Sequence, residues 1–200
     1  KALLSLISPS GGSLEYGDGL SRNEIGYLPQ QTRVQRDFPS SVFETVLSGC
    51  QNRLGFLPFY TAAHKKKALD ALRILKAENL KNTCYHELSG GQLQRLSILR
   101  SMMLHPRLLV ADEPVSMLDV SVRAEVMDLL EDLKARYHMS MVFISHDIAT
   151  TRVIADKVAV MYLGHIVEIG ETDEVIQSPC HPYTKALISN CGTLDTEGFH

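Results

Sequence analysis

The stretch Leu88-Ser89-Gly90-Gly91-Gln92 sets a hydroxyl and two adjacent glycines directly ahead of a segment with helical spacing. Glycines let a backbone approach a ligand closely, and the free N–H groups and dipole of a helix start favour phosphate. Downstream, the apolar run Leu108-Leu109-Val110-Ala111 closes on two acids, Asp112 and Glu113. A buried strand ending this way delivers both carboxylates to the carboxyl edge of a sheet, the usual ligand location in open α/β folds. The same pair, followed by Pro114, also reads as a polar turn that merely ends a strand. A second apolar run, Met141-Val142-Phe143-Ile144, leads through Ser145 to His146 and Asp147. A lone histidine there is usually structural, and Asp147 suits the N-cap of a following helix. Upstream, Ile25-Gly26-Tyr27-Leu28-Pro29 ends on Gln30, with Gln31 as a rival amide.

Several elements must hold these groups in place. Ser13 to Tyr16 reads as a short strand before the Gly17-Asp18-Gly19 turn, and Ile25 to Leu28 as a second, ended by Pro29. Ser41-Val42-Phe43-Glu44 carries a capping-box spacing, and Val42, Val46 and Leu47 share one helical face behind it. Gly55 to Pro58 breaks that texture. Ala62 to Ala77 resumes it, with Ala68, Leu69, Leu72 and Leu75 inward. Lys65, Lys66 and Lys67 lie outside, as a solvated face rather than a nucleic-acid contact. Ser89 caps a helix from Gly90 to Leu104 that stops before Pro106. Leu108 to Ala111 and Met141 to Ile144 read as buried strands. Val122, Val126, Leu129, Leu130, Leu133 and Tyr137 line the helix between them. Val158 to Tyr162 and Ile166 to Ile169 flank Gly164-His165 as a hairpin. Strands alternating with helices predict a parallel, doubly wound α/β sheet, with the helical stretch from about 38 to 100 inserted as a lobe.

Composition agrees with an ordinary globular domain. The 200 residues are 44% hydrophobic and 22% charged, with a formal net charge of −3. This length can bury a real core, and that charge makes no electrostatic case for nucleic acid. The longest apolar stretches are strand-sized, so direct membrane insertion is not expected. Cys50, Cys84, Cys180 and Cys191 are widely spaced, which favours reduced thiols over disulfides or a zinc site. Lys1 to Ile7 is too short for a signal peptide and reads as the end of a helix stopped before Pro9.

Taken in chain order, these segments resemble the Q-loop, signature motif, Walker B strand and switch histidine of ABC-type ATPases, over roughly residues 1 to 190. The resemblance implies a P-loop NTPase-type parallel sheet core, an inserted α-helical lobe and a C-terminal β-hairpin. Its segments are a core part with the Q-loop (1–37), the lobe ending in the signature helix (38–100), the core with Walker B, D-loop and switch histidine (101–170), and an extension (171–200). It implies ATP and Mg²⁺ as cofactors. Asp112 would hold the metal, with Gln30 linking metal and water to the lobe. Glu113 would orient the attacking water, and His146 would reach the γ-phosphate. Ser89, Gly90, Gly91 and Gln92 would close over ATP held by a second ATPase subunit. Asp119, within Ser116-Met117-Leu118-Asp119, would lie along the same dimer interface and can cap the next helix as well. The expected place is the cytoplasmic face of the plasma membrane, reached through permease subunits that touch the helical lobe.

No G-x-x-x-x-G-K-[ST] phosphate loop occurs in the 200 residues. Truncation ahead of Lys1 is one account, and loss of the ATP site the other. The subfamily flavour is also divided. Residues 25 to 86 resemble zinc or manganese importers, and residues 97 to 189, with His181-Pro182-Tyr183-Thr184, resemble oligopeptide or nickel importers. The leading expectation is the energy-coupling subunit of an importer. The alternatives are a non-transport ABC ATPase of DNA repair or translation, and a regulatory module that does not hydrolyse ATP. Without the nest of amides and the lysine that cradle triphosphate, residues 1–200 alone are expected to turn over no ATP. A thermal-shift titration at millimolar MgATP checks this, with no change in melting temperature as the expected outcome.

Overall fold

The computed structural model describes residues 2–4, 6–30, 40–51 and 59–190. They belong to two compact units that divide after Ile144. In the first, β1 (Ile25–Leu28), β2 (Leu108–Asp112) and β3 (Ser140–Ile144) form a parallel sheet with β2 in the middle. The register pairs Leu28 with Ala111 and Asp112 with Ile144. Parallel neighbours need crossovers rather than tight turns. The first crossover carries α1 (Val42–Ser48), α2 (Ala62–Ile74) and α3 (Gly90–Met102), and the second is α4 (Val120–Tyr137). Leu109, Val110 and Ala111 of β2 are buried, as a strand covered on both faces requires.

β3 departs from the expected buried strand. Val142 is 39% and Ile144 46% exposed, so one of its faces is open. Its apolar run permits burial, but whether a layer covers that face is a tertiary matter. The N-terminal readings also change. Ala2–Leu4 is a single 3-10 turn, and Ser13 to Tyr16 forms no strand. Extended backbone needs a neighbour to take its hydrogen bonds, and none of the described strands pairs with this stretch.

The helices follow their capping chemistry. The Ser41 hydroxyl accepts from Glu44 N–H at 3.3 Å, and the Glu44 carboxylate accepts from Ser41 N–H at 2.8 Å. The Ser41 N–H first, and then the Ser41 hydroxyl, which also donates to the carboxylate, hold the Glu44 carboxyl below its ordinary range. Thr61 caps α2 against His64, a cap not expected from the sequence. α2 ends at Ile74, short of Ala77, because Lys76 turns left-handed at φ 52°. The bonds Lys76 N–H to Arg73 O and Ala77 N–H to Leu72 O close the end. Glycine usually marks this geometry, so a lysine there hid it. Lys65 and Lys66 are exposed, as a solvated face should be. Val42, Val46, Leu72, Leu93, Leu96 and Leu99 bring α1, α2 and α3 into one core cluster. In α4, Val126, Leu130 and Leu133 are buried as expected, and Met127 joins them.

The second unit holds α5 (Ile148–Ile154), β4 (Lys157–Tyr162), β5 (His165–Glu171), α6 (Thr172–Gln177) and α7 (Pro182–Asn190). Asp147 caps α5 as expected. β4 and β5 make the predicted hairpin, with the turn one residue earlier, at Leu163-Gly164. Both residues have positive φ, 49° and 83°, as a two-residue type I′ turn demands. His165 instead pairs with Tyr162 and lengthens the ladder. The Glu168 carboxylate accepts from Cys180 N–H at 2.8 Å and His181 N–H at 3.0 Å, fastening the start of α7 to β5. The Cys180 bond is the largest of the contacts that hold the Glu168 carboxyl low. Cys50, Cys84 and Cys180 are not joined in disulfides. Cys191 and the Gly55 to Pro58 break lie outside the described residues. No helix among the described residues is long and apolar enough to cross a membrane.

Gly49, the C-cap of α1, lies against α3, where an added Cβ would stand 2.3 Å from the Arg100 carbonyl oxygen. Backbone cannot swing aside as a side-chain tip can. Gly49→Ala is expected to destabilise the unit by about 1–3 kcal/mol, the usual cost of overpacking. Gly17→Ala, with open space around it, should leave the denaturation midpoint nearly unchanged.

Candidate functional site

Parallel register ends all three strands at one sheet edge, and the chemistry gathers there. β2 delivers Asp112 as its last residue and Glu113 just beyond. Gln30, two residues past β1, reaches across, and its Nε2 donates to Glu113 Oε2 at 2.9 Å. The Tyr27 hydroxyl donates to Asp112 Oδ2 at 3.3 Å. Burial, then the Asp112 charge, then this bond push the Tyr27 phenol above its ordinary value. The sequence reading missed Tyr27. Its signal was a phenol on the strand next to β2, which matters only once the two strands are known to pair.

Glu113 adopts a left-handed backbone, φ 46°. For a residue with a Cβ this costs about 1–2 kcal/mol. The Glu113 N–H donates to Ile144 O at 2.9 Å, and its carbonyl accepts from Ser116 Oγ at 3.1 Å. Those bonds hold the kink and turn the chain off the sheet edge. Strain of this kind concentrates at functional positions. Asp112-Glu113-Pro114 does end a strand in a turn, and the turn aims a carboxylate at Gln30.

A second group forms where α3 and α4 begin. The Ser89 hydroxyl accepts from Gln92 N–H at 3.3 Å, and Gln92 Oε1 accepts from Ser89 N–H at 2.9 Å. This is a capping box, so Gln92 has a structural task. Asp119 caps α4 by accepting from Val122 N–H at 3.0 Å and from the Ser121 hydroxyl. Those donors, Val122 first, hold its carboxyl below the ordinary aspartate range. The two helix starts touch through Gly91, where a Cβ would lie 2.5 Å from Val122 Cγ1. Arg95 and Glu125 form an ion pair further along the same helices. At Gly90 an added Cβ would come no nearer to Leu118, the neighbour it faces, than 3.9 Å from Cδ2. Gly90 thus has no packing reason to lack a side chain, whereas Gly91 has one.

His146 belongs to the second unit, exposed between Ser145 and the Asp147 cap of α5. The first unit therefore brings together Tyr27, Gln30, Asp112 and Glu113, and separately Ser89, Gly90, Gly91, Gln92 and Asp119. Residues 1–116 match the ABC transporter family. The chain belongs to that family. Residues 167–198 of this ABC transporter chain match the C-terminal region of oligopeptide/dipeptide transporters. It is 37% identical to the oligopeptide transport ATP-binding protein OppF of Escherichia coli, over 94% of this chain and 60% of that one. It is 40% identical to the dipeptide transport ATP-binding protein DppF of the same organism, over 98% of this chain and 61% of that one. The chain thus spans about 60% of the length of these curated relatives. The DppF alignment runs through residues 25 to 86 as well as 97 to 189, so one peptide-transport relative takes in both stretches. The solved structure of cbiO1 from Clostridium perfringens, part of the ABC transporter complex cbiONQ, superposes with a TM-score of 0.74 at 26% identity. It covers 88% of this chain and 72% of that one. The α/β fold of the P-loop NTPase type follows from this likeness and the parallel sheet.

Mg²⁺ suits the donor set at the sheet edge. That ion keeps most of its waters and takes one or two carboxylates plus phosphate oxygens, rather than an all-protein cage. Asp112 offers one such carboxylate, and no group of three or more His, Cys, Asp or Glu that could hold a metal ion exists among the described residues.

The two glycines are expected to separate under substitution. Gly91→Ala should destabilise the unit by about 1–3 kcal/mol through overpacking against Val122. Gly90→Ala should be neutral, or gain up to about 1 kcal/mol of helix propensity. Urea denaturation of both variants checks the contrast.

Proposed function

We propose that this chain is the ATP-binding, ATP-hydrolysing subunit that energises an importer of oligopeptides or dipeptides. The match of residues 167–198 to the C-terminal region of oligopeptide/dipeptide transporters carries the cargo reading. Its phosphate loop would be supplied by sequence not among the 200 residues. Two such subunits pair, with Ser89, Gly90 and Gly91 of one closing over the nucleotide of the other and Asp119 along the seam. The lobe of residues 38–100 meets the permease subunits, which tether the ATPase to the cytoplasmic face of the plasma membrane. The core comprises residues 1–37 and 101–170, and residues 171–200 form an extension.

Within the site, Asp112 holds Mg²⁺, which neutralises charge on the phosphates when bound. Glu113 orients the attacking water and accepts its proton. The Gln30–Glu113 hydrogen bond supports this, since the amide fixes the carboxylate at the sheet edge beside Asp112. Gln30 in turn couples that carboxylate to the segment leading into the lobe. His146 stabilises charge on the γ-phosphate in the transition state. Phosphoryl transfer needs such positioning and charge neutralisation more than covalent chemistry.

In the protein with a phosphate loop in place, Glu113→Gln should cut ATP turnover by at least about 100-fold, the usual worth of a positioned base. Nucleotide binding should persist, and the variant should trap the ATP-bound dimer. Wild-type turnover would remove Glu113 from that role. Gly90→Asp, rather than a change at Gly91, then tests action across the dimer free of packing damage. Paired with a phosphate-loop mutant, it should leave one composite site intact. Both lesions in one subunit, paired with wild type, should leave none.

A further inference from the structure

We propose that Tyr27 is a positioning residue for Asp112, fixing its carboxylate so that one oxygen stays turned toward the cation. The inference rests on the reading of Asp112 as the magnesium carboxylate. Tyr27 sits opposite Val110 in the β1–β2 register. Its hydroxyl therefore reaches two residues further along β2, a span of about 6.6 Å at strand rise, to Asp112 Oδ2. A phenol is long enough for that reach, and a shorter polar side chain at position 27 is not. Among the described residues no other group donates to the Asp112 side chain. The torsions of that carboxylate are thus restrained by one hydroxyl from the neighbouring strand.

The chemistry of the pair explains the choice of donor. A lysine or arginine would neutralise Asp112 and compete with a cation. A phenol restrains the carboxylate while leaving its charge intact, and it is also half-buried between strands. Outer-shell partners of metal ligands typically contribute 10–100-fold in metal affinity.

The test uses Mn²⁺ with ATP, followed by electron paramagnetic resonance, on the protein with its phosphate loop in place. Tyr27→Phe keeps the ring and removes only the hydroxyl. It should raise the Mn²⁺ dissociation constant about 10-fold while leaving metal-free ATP affinity unchanged. In an Asp112→Asn background the same substitution should have no further effect, because Tyr27 acts through that carboxylate. An equal loss in both backgrounds would make Tyr27 merely structural and overturn the proposal. Unchanged Mn²⁺ affinity in Tyr27→Phe, with affinity lost in Asp112→Asn, would overturn it while sparing the reading of Asp112. Unchanged affinity in Asp112→Asn would overturn both.

Discussion

The parallel register of β1, β2 and β3 is the constraint on which the rest of the first unit depends. Parallel pairing forces all three strands to end on the same side. Residues more than eighty positions apart, Gln30 and Glu113, then fall within 2.9 Å of each other. The same pairing offers Ile144 O to the Glu113 amide, and that bond holds Glu113 left-handed. An antiparallel arrangement would send one of these groups to the opposite edge. The strained backbone at Glu113 is therefore offset by the sheet that creates the site.

Where α3 and α4 begin, side chains proposed to act at the dimer seam already have structural tasks. Ser89 and Gln92 complete a capping box, and Asp119 caps α4. These tasks start two helices side by side, with Gly91 letting them approach at Val122. Such a pair of helix starts presents unpaired backbone N–H groups together, which is the physical basis for the proposed grip on a partner's phosphate. Structural and proposed functional roles coincide here because a helix start exposes the donors that an anion needs.

The second unit solves a different problem. A two-stranded hairpin is marginal by itself, and here Glu168 ties the N-terminal end of α7 to it through two backbone N–H groups. The Tyr162 and Tyr183 rings, 4.4 Å apart, add a second link between the same elements. Residues 167–190, the described part of the segment that matches the oligopeptide/dipeptide C-terminal region, are thereby tied into this packed unit.

Local chemistry was legible in the amino-acid sequence because its signals act over a few residues. The Ser41–Glu44 box, the Ser89, Asp119 and Asp147 caps, the apolar β2 run and the hairpin all depend on neighbours within one or two turns. The motif order, read along the whole chain, pointed to the ABC family that residues 1–116 match. The sequence could not say which faces would be covered, and β3 proved half open. Nor could it reveal that Tyr27 meets Asp112, that Gly49 faces the Arg100 carbonyl, or that Gly91 but not Gly90 is crowded. Each of those facts is a distance between groups far apart in the chain. Only tertiary packing sets such distances, because the free energy that brings them together comes from burying the whole core and not from any single motif.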